Sequence, residues 1–115
     1  MKYALIGCGR ISPNHIIAAK SSNLEFAGLC DIDEKKLQDK SEKFDLKNVH
    51  PYKNYHEMLE NEKPELVSIA TESGKHAAIA LDCINAGCNV IIEKPIALSL
   101  ADADKIICAS QDKKV

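Results

Sequence analysis

Four short apolar runs, KYALIG (2–7), EFAGLCD (25–31), ELVSIAT (65–71) and NVIIEK (89–94), constrain this chain's fold more than anything else in it. They are apolar at successive positions rather than alternate ones, the pattern of strands covered on both faces. Between them lie stretches of helical periodicity, over about residues 10–20, 33–44, 55–62 and 75–86. Strands that alternate with helices are joined by crossovers, and crossovers build a parallel sheet with helices on its faces. The expected fold class is α/β. A further short strand around 49–53 is weakened by Pro51.

The helix boundaries carry chemical signals. Asp33 suits the N-cap of a charged, solvated helix, and Pro13 suits a first helical turn, where its missing N–H costs little. Ala77, Ala80, Leu81 and Ile84 follow the i, i+3, i+4, i+7 rule, with Gly87 placed to stop that helix. Met58 and Leu59 are expected in the core. Ser99 with Asp102 three residues on forms the acidic variant of a capping box. After that last helix the chain reads DKKV, which leaves the NVIIE strand at a sheet edge with Val90, Ile91 and Ile92. Natural proteins usually cover such an edge. The expectation is one domain over residues 1–115, the front part of a longer protein, able to self-associate through that edge.

Charge and composition exclude several classes. A formal net charge of −2 gives no basic field for nucleic acid. No run approaches the roughly 20 apolar residues that span a bilayer, and MKYALIG lacks the pattern of a signal peptide. The expected location is cytoplasmic. Five scattered cysteines without a C-x-x-C pair argue against a disulfide framework or a zinc site. Most are expected to be small buried hydrophobes. Cys8 is the exception, because a thiol at a helix N-terminus can be acidified.

The chemistry concentrates at three strand ends. Gly7-Cys8-Gly9 leaves a strand and enters a helix, the context of a dinucleotide turn, although Ser12 stands where a third glycine is usual. Gly7 would allow the sharp turn, and Gly9 would let a pyrophosphate approach the backbone. Alone, the motif equally describes a plain bend. Asp31 lies some twenty residues on, at the end of the second strand, where a carboxylate accepts ribose hydroxyls and repels a 2′-phosphate. No Arg follows it, which favours NAD over NADP; the bland alternative is a turn residue. Glu93-Lys94-Pro95 ends the fourth apolar run. Proline restrains Lys94 to an extended backbone, from which a lysine could assist a substrate hydroxyl's proton. By itself it reads more readily as a surface strand end. His15 is expected to pack, and His50 and His56 to be solvated.

Taken in order, Gly7-x-Gly9, His15, Asp31, Thr71-Glu72-Ser73-Gly74-Lys75-His76 and Glu93-Lys94-Pro95 resemble the N-terminal half of the Gfo/Idh/MocA oxidoreductase family. The resemblance covers essentially the whole chain. It implies a Rossmann-type, doubly wound parallel sheet in three α/β/α layers, followed in full-length members by a substrate domain that often mediates oligomerisation. It implies NAD as cofactor, held around Gly7, Gly9, Arg10, Ile11, Asp31, Thr71, Ser73 and His76. Glu93 would then lie near the nicotinamide ribose, and Lys94 near both nicotinamide and the reacting hydroxyl. A cis peptide before Pro95 belongs to the same expectation. The family's usual stretch is nearer T-P-N-x-x-H; the Ser-Gly-x-His version resembles the branch that oxidises the 3-hydroxyl of UDP-N-acetylglucosaminuronic acids. The function implied is hydride transfer from a secondary alcohol of a sugar, polyol or nucleotide sugar to NAD. Since the family's main acid/base residues lie in the second domain, this chain is expected to bind NAD without turning over sugar. The rival from another class is a non-catalytic NAD or sugar sensor of the same fold.

Overall fold

The computed structural model describes residues 1–115 and contains five strands, in the order of the chain β1 (Lys2–Ile6), β2 (Glu25–Cys30), β3 (His50–Tyr52), β4 (Leu66–Ile69) and β5 (Asn89–Ile92). Five α-helices connect and follow them: α1 (Ser12–Ser21), α2 (Glu34–Lys43), α3 (Tyr55–Glu62), α4 (His76–Asn85) and α5 (Leu100–Lys113). All strand pairs are parallel, and the sheet order is β3-β2-β1-β4-β5. This is the doubly wound Rossmann arrangement. The chain winds outward from β1 through β2 to β3, then crosses back to β4 on β1's other side. The reversal lies between β1 and β4, where such sheets open a crevice beyond the strand ends.

Successive strand residues serve opposite faces, and the core divides accordingly. Tyr3, Leu5 and Leu29 pack with Ile16 and Ala19 of α1 and Leu37 of α2. Ala4, Ile6, Cys30, Val67 and Ile69 pack on the other face with Met58, Ile79, Ile84 and Ile106, from α3, α4 and α5. Both faces being covered, the central strands are almost continuously apolar, with Ser68 of β4 the buried polar exception. At Gly28 the helix comes especially close. A Cβ there would lie 2.8 Å from Met58 Cγ, so Met58 occupies the space a side chain would need.

The boundary signals behave as their chemistry requires. Asp33 Oδ1 accepts from the N–H groups of Lys35 and Lys36, Asn54 Oδ1 from His56, and Ser99 Oγ from Asp102. Pro13 stands in the first turn of α1, and Gly87 has φ +86°, a conformation open to glycine. The buried face of α4 is rotated from the expected one. His76, Ile79, Ala80, Cys83 and Ile84 are buried, while Ala77 and Leu81 are only partly covered. Counting apolar letters missed this, because a histidine and a cysteine do part of the packing.

β5 is the expected edge strand, with Ile91 47% exposed. No helix is long and apolar enough to cross a membrane. Ile69 is fully buried where β4 meets both β1 and β5. Ile69→Ala should lower the unfolding free energy by about 2–5 kcal/mol in a urea titration. A loss below about 1 kcal/mol would show that this strand end is loosely packed.

Candidate functional site: a cleft at the sheet reversal

The turn after β1 is shaped by a close backbone approach. Gly7 has φ +108°, and a Cβ there would lie 2.5 Å from both C and O of Ala70, beyond the end of β4. Neither condition tolerates a side chain. Gly9 is different, since a Cβ there would meet nothing within 4 Å. Neither its φ nor a protein neighbour demands glycine at that position. What the missing side chain leaves is open space in front of the turn.

Three consecutive backbone N–H groups, those of Gly9, Arg10 and Ile11, donate to no acceptor in the protein. They precede α1, whose N-cap residue Ile11 provides no side-chain cap. Unpartnered N–H groups and the helix dipole together make this end attractive to an anion. Ser12, in the place of the third glycine, is fully buried and donates its Oγ–H to the Gly9 carbonyl at 2.7 Å. Its hydroxyl thus fastens the turn and leaves the face at Gly9 open.

Asp31 stands across from this turn at the end of β2. Its Oδ2 accepts the Cys8 N–H at 2.8 Å, and its Oδ1 accepts the Asp33 N–H at 2.8 Å. The carboxylate is therefore held at both oxygens, and each retains capacity for another donor. A cleft of about 540 Å³ joins the two turns, lined by Gly7, Gly9, Arg10, Ile11, Asp31 and Thr71 among others. Ile32 and Ile79 add apolar walls, and Lys36 and Lys53 stand at the Asp31 end.

The remaining expected site residues are outside this lining. Ser73 lies in an exposed 3-10 turn, Ser73–Lys75. His76 is 2% exposed, with Nδ1 2.8 Å from the Pro95 carbonyl oxygen and Nε2 2.9 Å from that of Thr71. Carbonyls only accept, so both contacts are hydrogen bonds when the ring carries both protons. A neutral ring donates to only one of the two, and in either state both nitrogens face backbone carbonyls of the segments after β4 and β5. Glu93 and Lys94 follow β5, with the Glu93 N–H continuing the ladder to Ile69 O at 3.0 Å. The Lys94–Pro95 peptide is cis, and the Lys94 side chain is exposed without an acidic partner.

His15 departs from expectation. Rather than only packing, it places Nε2 2.7 Å from Glu93 Oε1. Its position on α1 gave no sign of this, because the partner is 78 residues away in sequence. His50 and His56 are exposed, as expected. Cys8 is a correction. It is fully buried, and burial, reinforced by the Asp31 carboxylate, pushes its thiol up to about 12. Cys30 is also pushed up to about 12, by burial first and Asp31 second. The helix end cannot acidify a thiol that burial keeps from water and that faces a carboxylate.

The comparisons agree with this geometry. The model of the Gfo/Idh/MocA oxidoreductase family, NAD-binding Rossmann fold, matches residues 1–115. The chain belongs to that family. As its NAD-binding domain, it is 35% identical over 111 residues to a D-apiose dehydrogenase of Paraburkholderia graminis, covering 96% of this chain and 29% of the relative. It is 30% identical over 113 residues to an inositol 2-dehydrogenase of Salmonella typhimurium, covering 96% of this chain and 33% of that protein. Among solved structures, the WlbA dehydrogenase of Bordetella pertussis, in complex with NADH and UDP-GlcNAcA, superposes with a TM-score of 0.89 at 30% identity. That match covers all of this chain and 35% of WlbA. The family domain described here thus spans about a third of the length of these relatives.

Cysteine burial gives a direct check on the site's packing. Of the five free thiols, only Cys108 is exposed. At pH 8 one thiol per native chain should react rapidly with an aromatic disulfide reagent, and all of them after unfolding. Rapid labelling of Cys8 in the native chain would contradict its place beneath the turn.

Proposed function

We propose that this family domain serves an oxidoreductase that moves hydride from a secondary alcohol carbon of a sugar, polyol or nucleotide sugar to NAD. The observation that carries the reading is the run of three unpartnered N–H groups at Gly9, Arg10 and Ile11, residues that line the cleft at an uncapped helix end, with open space at Gly9. A pyrophosphate suits that place by charge and by hydrogen bonding. The dehydrogenases among the relatives, and the NADH and nucleotide sugar bound by WlbA, support the same reading.

Each remaining residue takes a role from its chemistry. Gly9 leaves room for phosphate, and Gly7 sets the turn that aims the N–H groups. Asp31, braced at both oxygens, accepts the hydroxyls of the adenosine ribose. Thr71 borders the crevice at the end of β4, with Ser73 just beyond it and His76 fastening the wall behind. NAD, when bound, supplies the hydride acceptor. Lys94, extended into solvent without a partner, assists the departing proton of the substrate hydroxyl.

The preference for NAD over NADP follows from a comparison of charges. Like charges near a protein surface repel by about 4 kcal/mol at about 4 Å. A tenfold preference needs only about 1.4 kcal/mol. Lys36 and Lys53 line the same end of the cleft, but both are exposed, and Lys53 already pairs with Glu34 at 3.1 Å. Their charges are mobile and screened, whereas Asp31 is fixed.

Calorimetric titration should show NAD binding at least about tenfold tighter than NADP. Gly9→Ala should hold or raise stability by about 0.4–1 kcal/mol, yet weaken NAD by about tenfold or more. Binding of neither dinucleotide would refute the reading, and an unchanged Gly9→Ala titration would remove the phosphate from this turn. The isolated chain should also show no steady-state reduction of NAD with inositol or a nucleotide sugar. Turnover at an enzyme-like rate would place the whole acid/base machinery within these residues.

A further inference from the structure

The side chain of Glu93 is held at one oxygen only. Its Oε1 lies 2.7 Å from His15 Nε2, while Oε2 takes no bond from the protein. The pair is partly buried, at 13% exposure for the histidine and 27% for the glutamate. An ionised carboxylate only accepts, so with Glu93 in that form Nε2 of His15 is the donor. A surface pair with two mobile side chains would contribute little. Here both backbones are fixed, one in the first turns of α1 and the other in the ladder beyond β5.

The bond also joins two parts of the site that share no other side-chain hydrogen bond. His15 is three residues beyond Ser12, on the helix whose N-terminus carries the unpartnered N–H groups. Glu93 precedes Lys94 directly. On the opposite side, His76 bonds the Pro95 carbonyl, so residues 93–95 are held between two imidazoles.

We propose that His15 is a positioning residue: it fixes Glu93 so that the free Oε2 accepts the hydroxyls of the cofactor's second ribose, and so holds Lys94 in line. This rests on the dinucleotide reading given above and adds to it a residue that touches neither cofactor nor substrate. The adenosine half of the cofactor, held at Asp31 and the turn, is independent of the bond. Loss of His15 should therefore divide the cofactor into an affected and an unaffected half.

The test is a calorimetric titration of the whole chain with ADP and, separately, with NAD, for the wild type, His15→Ala and His15→Gln. His15→Ala should weaken NAD by about tenfold or more and change ADP by less than about twofold. Gln keeps an N–H donor of similar reach, so His15→Gln should restore most of the NAD affinity. Unchanged NAD binding in His15→Ala would overturn the proposal. So would parallel losses of ADP and NAD, the mark of a purely structural role, or a failure of Gln to rescue. A wild-type chain that binds neither ligand would overturn the dinucleotide reading, and this inference with it; that arm keeps the two failures apart.

Discussion

Everything in the cleft depends on how closely the chain leaving β1 passes over the chain leaving β4. At Gly7 the two backbones are so near that a single Cβ would sit 2.5 Å from the Ala70 carbonyl. The contact lies at the sheet's reversal, and it sets the direction in which the following residues enter α1. From that direction follow the orientation of the Gly9, Arg10 and Ile11 N–H groups and the reach of the Cys8 N–H to Asp31. A side chain at position 7 would push the turn away from β4 and separate all of these at once. The positive φ adds a second, independent reason for glycine.

The helix ends divide along the same line. α2, α3 and α5 are capped by their own sequences, through Asp33, Asn54 and Ser99. α1 and α4, which begin beside the strand ends at the reversal, have no side-chain cap. A cap contributes about 1 kcal/mol, so omitting one leaves a helix end less stable but available. In α1 the omission coincides with the open space at Gly9. In α4 the preceding 3-10 turn takes up the connection, and the first residue, His76, works sideways as a bridge.

Most of the architecture was legible because it rests on short-range or periodic signals. The apolar runs, Pro13, Asp33, Gly87 and Ser99 each act on neighbouring residues, and each marks the element it was read from. Gly7 and Gly9 were legible as a motif, though their different physical reasons were not. One is required by a backbone contact from a distant strand, and the other by nothing within the protein. The side chains missed were those whose partners are remote. His15 meets Glu93, His76 meets Pro95, and Cys8 is covered by strands and shadowed by Asp31. A histidine on a helix or a cysteine in a turn gives no sign of such neighbours. The face of α4 was misjudged for a related reason, since His76 and Cys83 are buried where a count of aliphatic letters would not put them.

The sheet order also dictates the sequence in which the cleft can assemble during folding. The Cys8–Asp31 bond closes a span of 23 residues, and its two ends leave the directly paired strands β1 and β2. The His15–Glu93 bond closes 78 residues, and β5 pairs with β4 alone, which pairs in turn with β1. By loop-closure entropy the longer span costs only about 1 kcal/mol more. Connectivity matters more than that difference. A partly folded chain can hold the Asp31 bracket without the Glu93 brace, but the brace has no scaffold until β4 has docked. Local opening from the β5 edge would run the same steps backwards, releasing Lys94 while the glycine turn stays intact.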